Sequence, residues 1–482
     1  MKLKSIKIRN YRSIDEIEFG IDQLDDGTFT YGLIGVNEAG KSTILKAMAL
    51  KDGLKNEKGE MLPLQKDFKD RSKLIEIEYF YVLTKSDVKE CNEHLSATLP
   101  DNSFGSLNFN EVKLAVSFDY SNPNQAQYKI EIDDVSVEDL AIETIKTKLT
   151  PLILQKSHKS IFWTAEDRYL IAQPINLSQF SVSPDTISIP LKNCFSLVGI
   201  TSQEDIQSRL NLITESAECE LLEKNLGDEV TRHIRRAWPN HPIKITFKMS
   251  DGLMNFHVHD LGTRGKAKTA DQRSDGFKQF ISFLLTISAQ NRTDELMDSI
   301  LLLDEPETHL HPQAQEALLQ ELIKITQNER NNIVFFATHS NYMIDKSDLS
   351  RNYRVFKDSE KKTEMEKTEK NRFDKKSSTY ASVTYEVFDI PSTDYHNELY
   401  SRLHEEYQDS NPNDQERSRI LNFDENFFQR EKKLKADKPW RKTSNRATLP
   451  TYIRNCIHHP DSGNSYKEDE LRKSVELLRS YL

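Results

Sequence analysis

Cysteine is scarce in this chain of 482 residues, which contains four cysteines and no CxxC pair. This scarcity predicts free, reduced thiols and excludes a disulfide framework. The chain also lacks an apolar run of roughly eighteen residues, which excludes a membrane-spanning helix. The N-terminal residues 3–8 alternate between apolar and polar, whereas an export signal needs a continuous apolar stretch. We therefore expect a cytoplasmic protein without membrane contact.

The chain also lacks a positive net charge, because its 66 Lys and Arg are outnumbered by 76 Asp and Glu, which gives a net charge of −10. Any nucleic-acid contact would thus need a local basic patch. Charged residues make up 29% and hydrophobic residues 37%, which is too apolar for a disordered chain. The length is about three times that of a usual domain, so we expect at least two domains.

A phosphate-binding loop occupies residues 35–43, with the sequence Gly-Val-Asn-Glu-Ala-Gly-Lys-Ser-Thr. An apolar strand pattern precedes it and a helix pattern follows it, which is the context that such a loop requires. Its glycines let backbone N–H groups approach phosphate oxygens, its lysine reaches the β- and γ-phosphates, and its serine ligates Mg²⁺. The predicted nucleotide contacts are Gly35, Asn37, Gly40, Lys41, Ser42 and Thr43.

Two carboxylates follow a second apolar strand at residues 299–303, in the sequence Asp-Glu-Pro-Glu at 304–307. Asp304 suits a Mg²⁺ contact and Glu305 is placed to activate the attacking water, so the pattern predicts hydrolysis and not binding alone. A third apolar strand, at 332–338, ends at His339, where an imidazole would reach the γ-phosphate.

The chain order predicts an α/β fold, because uninterrupted apolar strands that alternate with helices indicate parallel strands covered on both faces. Between residues 357 and 376, 14 of 20 residues are charged, which indicates a solvated hairpin or a linker. The predicted boundaries are a P-loop head at 1–84 and 240–355, an insertion of mixed helices and strands at 85–239, a charged linker or hairpin at 356–379, and a mainly helical C-terminal domain at 380–482.

A further segment, DQRSDGFKQF at 271–280, places Ser274 and Gly276 at the start of a helix. With the phosphate loop, DEPETHLHP at 304–312 and FFATHS at 335–340, it resembles the ABC-type ATPase heads of the structural-maintenance and recombination-repair class. More narrowly, the motifs are similar to those of the OLD-like and AAA_15-like ATPases of bacterial anti-phage systems such as Septu and PARIS.

This resemblance implies an ABC-type head that uses ATP and Mg²⁺. In that class the signature serine of one subunit faces the γ-phosphate bound by the other, so Ser274 and Gly276 imply a head-to-tail homodimer, with higher oligomers left open. Gln65 stands where the class places a glutamine that contacts the magnesium ion, although a surface glutamine explains it equally well.

Two departures from the class limit the resemblance. The insertion has no sustained heptads, which argues against a coiled-coil arm for DNA tethering. OLD-family members carry a metal-dependent nuclease domain marked by an Asp-x-Asp pair, and we identify no such pair after residue 345. A nuclease of that kind is therefore not expected.

The C-terminal region contains two candidate sites. Residues 430–446 carry eight Lys or Arg against two acids, with Trp440 among them, which favours nucleic-acid contact or a solvated helix end. Arg454 and His459 match the R-N-x-x-x-H signature of HEPN domains, which implies RNA cleavage without a metal. The alternative is that these two residues cap helices or hold a partner.

These observations predict an ATPase of bacterial anti-phage defence whose nucleotide-driven dimer rearrangement controls a nuclease or toxin, either separately encoded or its own C-terminal RNase. Two alternatives stay open. In the first, the protein is an ATP-dependent sensor and scaffold that holds a separately encoded nuclease. In the second, it is a DNA-repair ATPase.

Overall fold

The structure is a computed structural model that describes residues 1–99, 107–132, 139–171, 174–212, 216–237, 243–261, 268–269, 278–279, 281–283, 285–286, 296–327, 330–368, 379–412, 419–440 and 445–482. The chain divides into two compact units. The first comprises Met1–Met343 and Arg351–Lys367, and the second comprises Ile344–Ser350 and Thr368–Leu482. Across the described residues, no helix combines the length and apolar composition needed to cross a bilayer.

The strands of the described residues follow in chain order: β1 (Lys2–Tyr11), β2 (Ile14–Gly20), β3 (Thr30–Ile34), β4 (Ile75–Val82), β5 (Glu111–Asp119), β6 (Asn122–Ile132), β7 (Lys159–Thr164), β8 (Ile175–Asn176), β9 (Ile243–Ser250), β10 (Leu253–Asp260), β11 (Lys268–Thr269), β12 (Ser299–Asp304), β13 (Ile333–Thr338), β14 (Asn352–Lys357), β15 (Thr363–Lys367), β16 (Lys438–Pro439) and β17 (Arg446–Ala447).

Helix α1 spans Lys41–Ala49. The other α-helices of the first unit are Lys85–Thr98, Asp139–Lys156, Leu177–Val182, Pro184–Ile187, Ile189–Leu197, Gln203–Asn211, Ser216–Ala237 and Pro312–Ile325. Those of the second unit are Tyr380–Glu386, Thr393–Ser410, Ile420–Phe423, Leu449–His458 and Glu468–Tyr481.

The central sheet of the first unit has the strand order β15-β14-β3-β13-β12-β7. The strands from β14 to β7 run parallel, and β15 pairs antiparallel with β14. All residues of β12 and β13 are buried, as expected of parallel strands covered on both faces. The carboxyl ends of β3, β13 and β12 meet at one edge, where Ala337 lies beside both Leu33 and Asp304. The loops that carry the predicted site therefore start from the same edge.

Different layers cover the two faces of this sheet. Leu302 and Phe335 belong to a core shared with α1 and with an antiparallel sheet of order β2-β1-β4-β5-β6. Leu301 and Val334, which alternate with them, pack in a second core with Leu318 of the helix Pro312–Ile325. The predicted α/β class is confirmed, because the sheet is buried between these layers.

The hairpin of β9 and β10 forms a further layer of the first unit. Strands β8 and β11 also pair with β10. Ile245 and Phe256 pack there with Leu226 of the helix Ser216–Ala237. Thr231 of the same helix accepts from the Ile245 N–H at 2.8 Å, which ties the helix to the hairpin.

The unit boundaries depart from those expected. Segment 85–239, expected as an insertion, contributes β5 and β6 to the antiparallel sheet and β7 to the central sheet. Segment 356–379 was expected to be a hairpin or a linker, and its residues up to 367 form part of the β14–β15 hairpin. Residues 344–350, expected in the head, cluster with the second unit, where Lys346 Nζ lies 3.8 Å from the ring centroid of Tyr380. Strand patterns indicate which side chains are buried, but they do not identify the strand that pairs beside them.

The second unit is mainly helical, as predicted. Aromatic side chains dominate its core, and Tyr400, Phe423 and Phe428 contact one another edge to face or tilted, with centroids 5.0–5.8 Å apart. His396 is buried in this unit, and one of its ring nitrogens lies 2.9 Å from the Ser474 hydroxyl. Burial lowers the pKa of His396 to about 3, so a neutral imidazole belongs to this core.

Candidate nucleotide site

The phosphate loop connects β3 to α1 and lies directly against the β14–β15 hairpin. A side chain at Gly35 would place its Cβ 2.1 Å from the carbonyl oxygen of Val355. Gly40, the N-cap of α1, has a φ of 114°, and a Cβ there would lie 2.5 Å from Oγ1 of Thr363. Both glycines are thus required by close backbone approach. As the N-cap, Gly40 has no side chain to cap the N-terminus of α1, where phosphate groups bind most readily.

Lys41 is almost completely buried at this helix terminus, with 4% of its surface exposed. Its ammonium group donates to the carbonyl oxygens of Gly35 and Val36 at 2.9 and 3.2 Å, and it lies 2.8 Å from Nε2 of His339. Burial lowers the pKa of Lys41 to about 8, against the opposing effect of nearby carboxylates. A bound phosphate would offset the cost of burying this cation.

Ser42 and Asp304 form a pair beside Lys41. The Ser42 hydroxyl donates to Oδ1 of Asp304 at 2.7 Å. Burial raises the pKa of Asp304, because a buried carboxylate is poorly solvated when it is ionised. A cation bound next to this carboxylate would favour the ionised form. A hydroxyl and a carboxylate are the oxygen ligands that Mg²⁺ prefers, and this pair fits that ion.

Glu305 follows β12 and has a φ of 52°, in the left-handed region. Its Oε1 lies 3.2 Å from Nε2 of His339. Its carbonyl oxygen accepts from the Gln279 amide at 3.1 Å, which links the turn to the described helical residues of segment 271–280. Burial and the Lys41 cation together lower the pKa of His339, so its ring is neutral near pH 7.

Glu307 also belongs to this site, although the sequence did not single it out. It is 5% exposed, and Oε1 accepts from the Thr338 hydroxyl and from the His339 N–H, the latter at 3.3 Å. Among the described residues, no hydrogen-bond donor reaches Oε2. Burial raises the pKa of Glu307 to about 7. The available signal was the third acid of Asp-Glu-Pro-Glu, but the sequence does not show that this acid is buried.

The structure describes three of the other five residues predicted to contact the nucleotide or Mg²⁺. Asn37 is exposed in the loop and Thr43 is half-buried in the first turn of α1. Gln65 is exposed, and its amide donates to the Tyr120 carbonyl at 3.4 Å, not to the Ser42–Asp304 pair. Ser274 and Gly276 lie outside the described residues.

In the second unit, the basic segment 430–446 is engaged in several contacts. Lys432 lies over the ring of Phe427 at 4.9 Å, Lys438 pairs with Glu470, and Arg446 donates to the Asp437 carbonyl at 3.4 Å. Lys433 and Lys435 are exposed, whereas residues 441–444 lie outside the described part of the chain.

Arg454 and His459 lie at the end of one helix. Arg454 is half-buried in Leu449–His458, and His459 follows that helix at its exposed C-cap. Burial lowers the pKa of His458, and the charges of Arg454 and His459 lower it further. Asn455 between them is buried, and no described residue accepts from its side-chain amide. These residues form a compact cationic and polar cluster.

Two family models match the chain. Residues 1–173 match the AAA_15 model, described as "AAA ATPase domain". Residues 255–345 match the AAA_21 model, described as "AAA domain, putative AbiEii toxin, Type IV TA system". The uncharacterized protein MJECL43 of Methanocaldococcus jannaschii is 24% identical over 149 residues, which cover 30% of this chain and 38% of that protein.

Among solved structures, the head domain of Smc bound to the C-terminal winged-helix domain of ScpA aligns with 76% of this chain and 98% of its own, at 12% identity and a TM-score of 0.42. The SMC head domain from Thermotoga maritima aligns with 77% of this chain and 100% of its own, at 9% identity and a TM-score of 0.37. The matched family regions contain the phosphate loop, the acidic turn after β12 and His339. The chain is therefore similar to AAA ATPase domains over the regions that hold the predicted nucleotide site.

Proposed function

We propose that the first unit is an ABC-type ATPase that binds ATP with Mg²⁺ and hydrolyses it. The observation that supports this most strongly is the convergence of Lys41 from the start of α1, Glu305 from the turn after β12 and His339 from the loop after β13. The lysine ammonium lies 2.8 Å from the imidazole, and the imidazole lies 3.2 Å from the carboxylate. Phosphoryl transfer needs a phosphate-binding cation and a group that activates water, and this cluster supplies both.

In the proposed reaction, backbone N–H groups at the start of α1 and Lys41 hold the phosphates. Ser42 and Asp304 would hold Mg²⁺, which neutralises charge on the β- and γ-phosphate oxygens when bound. Glu305 accepts the proton of the attacking water, and His339 orients the γ-phosphate. The contact between Lys41 and His339 must open to admit that phosphate, since the two side chains meet where it would bind.

The direct experiment measures phosphate release by the purified protein with ATP and Mg²⁺, and again after chelation with EDTA. We expect steady turnover that depends on both Mg²⁺ and Lys41. Lys324→Ala is a matched control, because Lys324 is an exposed lysine that pairs with Glu321 on an outer helix. Turnover by Lys41→Ala at the wild-type rate would contradict the proposal.

We further propose that two heads assemble as a homodimer with composite ATP sites. The support is the motif resemblance, in which Ser274 and Gly276 act on the nucleotide of the partner. Molecular mass in solution, measured with and without ATP on a hydrolysis-deficient variant, tests this assembly. A monomer at saturating ATP would contradict it.

For the cellular role, we propose that the nucleotide state controls a nuclease or toxin effector in anti-phage defence. The support is the motif resemblance together with the description of the model matched at residues 255–345, which names the AbiEii toxin of a type IV system. The second unit, with its own core, is the part available for an effector or for docking one.

Two hypotheses for this second unit follow from Arg454 and His459. A histidine at an exposed helix end and a half-buried arginine in the same helix are able to move a proton and stabilise a charged phosphate, as RNA cleavage requires. The Arg454 guanidinium also donates to Oδ1 of Asn455 at 3.3 Å, and this contact within the unit instead favours a docking surface for a partner protein. In that case the protein is an ATP-dependent scaffold for a separate nuclease.

Incubation of the purified protein with tRNA, with and without ATP, separates the two hypotheses. RNase activity predicts cleavage that Arg454→Ala and His459→Ala each reduce by on the order of 10²–10⁴, with RNA binding retained. Lys473→Ala removes a cation elsewhere on the exposed surface of the same unit and is the control. Intact RNA throughout, together with loss of partner pull-down in the two variants, supports the scaffold.

A further inference from the structure

We propose that Glu307 is a positioning residue for hydrolysis, which holds His339 between Lys41 and Glu305. The inference rests on the proposed ATPase function and adds to it a residue that touches neither phosphate nor metal in that scheme. The expected consequence is a turnover defect without an ATP-binding defect.

The sheet places Glu307 where it is able to act in this way. Strands β12 and β13 are parallel neighbours, with Asp304 opposite Ala337 at their carboxyl ends. The turn after β12 brings Glu307 under the loop that follows Thr338. A side chain in this turn is therefore adjacent to the backbone of the next loop.

One carboxylate oxygen bridges the two loops. Oε1 of Glu307 accepts from the hydroxyl of Thr338, the last residue of β13, and from the N–H of His339. The Thr338 hydroxyl also accepts from the Ser340 N–H at 2.9 Å. Glu307 thus restrains the backbone on both sides of His339, whose ring contacts Lys41 and Glu305.

The burial of this acid is costly, which suggests a role beyond packing. Glu307 is 5% exposed and its second oxygen has no donor among the described residues. A buried polar atom without a partner destabilises the fold, so an apolar residue would be the cheaper choice for stability alone. The acid is better explained by the loop geometry that it maintains.

Alanine and glutamine variants test the inference through kcat and KM. Glu307→Ala removes the bridge, and because small displacements of catalytic groups are costly, we expect kcat to fall by on the order of 10–100-fold. KM should stay within about twofold, since the phosphate loop is unchanged. Glu307→Gln keeps the accepting oxygen and should retain kcat within about threefold. Glu321→Ala is the control, because Glu321 lies on the neighbouring helix with 47% of its side chain exposed.

A double-mutant cycle with His339→Ala separates positioning from a general structural role. If Glu307 acts through His339, Glu307→Ala should have little further effect on kcat once the imidazole is gone. A second approach avoids deleting the acid: Thr338→Val removes the donor with little change in shape and should slow turnover, whereas Thr338→Ser should restore it. These variants also guard against simple misfolding of Glu307→Ala.

The results that overturn the inference are distinct from those that overturn the ATPase function. Wild-type turnover combined with an unchanged kcat in Glu307→Ala refutes only the positioning role. So do multiplicative losses in the double mutant, or a raised KM at constant kcat. Absence of turnover in both the wild type and Glu321→Ala refutes the proposed function, and the inference falls with it.

Discussion

Replacing Glu305 by glutamine tests the assignment of the group that activates water. The change preserves side-chain size but removes the carboxylate whose Oε1 lies 3.2 Å from Nε2 of His339. Because the amide cannot accept a proton from water, we expect kcat to fall by on the order of 10²–10⁴, which raises the barrier by about 3–5 kcal/mol. The ATP dissociation constant should stay within about twofold, since Lys41 and Ser42 still hold the phosphates and Mg²⁺.

Steady-state phosphate release measures kcat for this variant, and equilibrium titration with ATP measures binding. Because turnover is blocked after binding, Glu305→Gln should accumulate as an ATP-bound closed dimer, visible as a change in molecular mass in solution. Glu321→Gln changes a carboxylate that pairs with Lys324 on an outer helix and should keep the wild-type rate. Phosphate release by Glu305→Gln within about twofold of wild type would refute the assignment.

Three further predictions concern the dimer, the loop and the fold. Ser274→Arg should block hydrolysis while the ATP affinity of the monomer is kept, and mixing with Lys41→Ala should restore one composite site; an equal loss of monomer affinity in both variants contradicts the trans geometry. Gly35→Ala should weaken ATP binding and lower the Tm, because its Cβ would lie 2.1 Å from the Val355 carbonyl oxygen, and an unchanged Tm contradicts that packing. Burial lowers the pKa of His158 from 6.5 to about 4, so the unfolded chain protonates first and the free energy of unfolding should fall as the pH drops through this range. The pKa shift of His158 contributes about 3 kcal/mol to the change in the free energy of unfolding over this pH range. His158→Phe should flatten that part of the pH dependence, which urea unfolding measures.

The local parts of the site were predictable from the sequence. The phosphate loop and the acids after β12 are motifs whose chemistry depends on the spacing of neighbouring residues and on the strand or helix beside them. Lys41, Ser42, Asp304 and Glu305 were therefore identified, and the structure brings them together with His339. Their roles in ATP hydrolysis stay predictions until the variants above are measured.

The boundaries of the two units were harder to predict, because the apolar pattern of a strand does not identify the strand that pairs with it. The apolar pattern of β7 is consistent with a strand, but its place next to β12 depends on a pairing across more than a hundred residues of chain. The charged segment after residue 356 was predicted to be solvated, yet Thr363 is buried and its hydroxyl donates to the Ala39 carbonyl at 3.1 Å. A single buried contact of this kind leaves no trace in a charge count.

The sequence by itself determined which functional groups the nucleotide site contains, since the phosphate loop and the acids after an apolar strand are recognised from the spacing of neighbouring residues. Only the tertiary structure decided their geometry. Lys41 and His339 are 298 positions apart and meet because β3 and β13 are adjacent parallel strands that end at one edge. The same adjacency of β12 and β13 buries Glu307 beneath the His339 loop, because side chains after neighbouring parallel strands must share one crowded edge of the sheet.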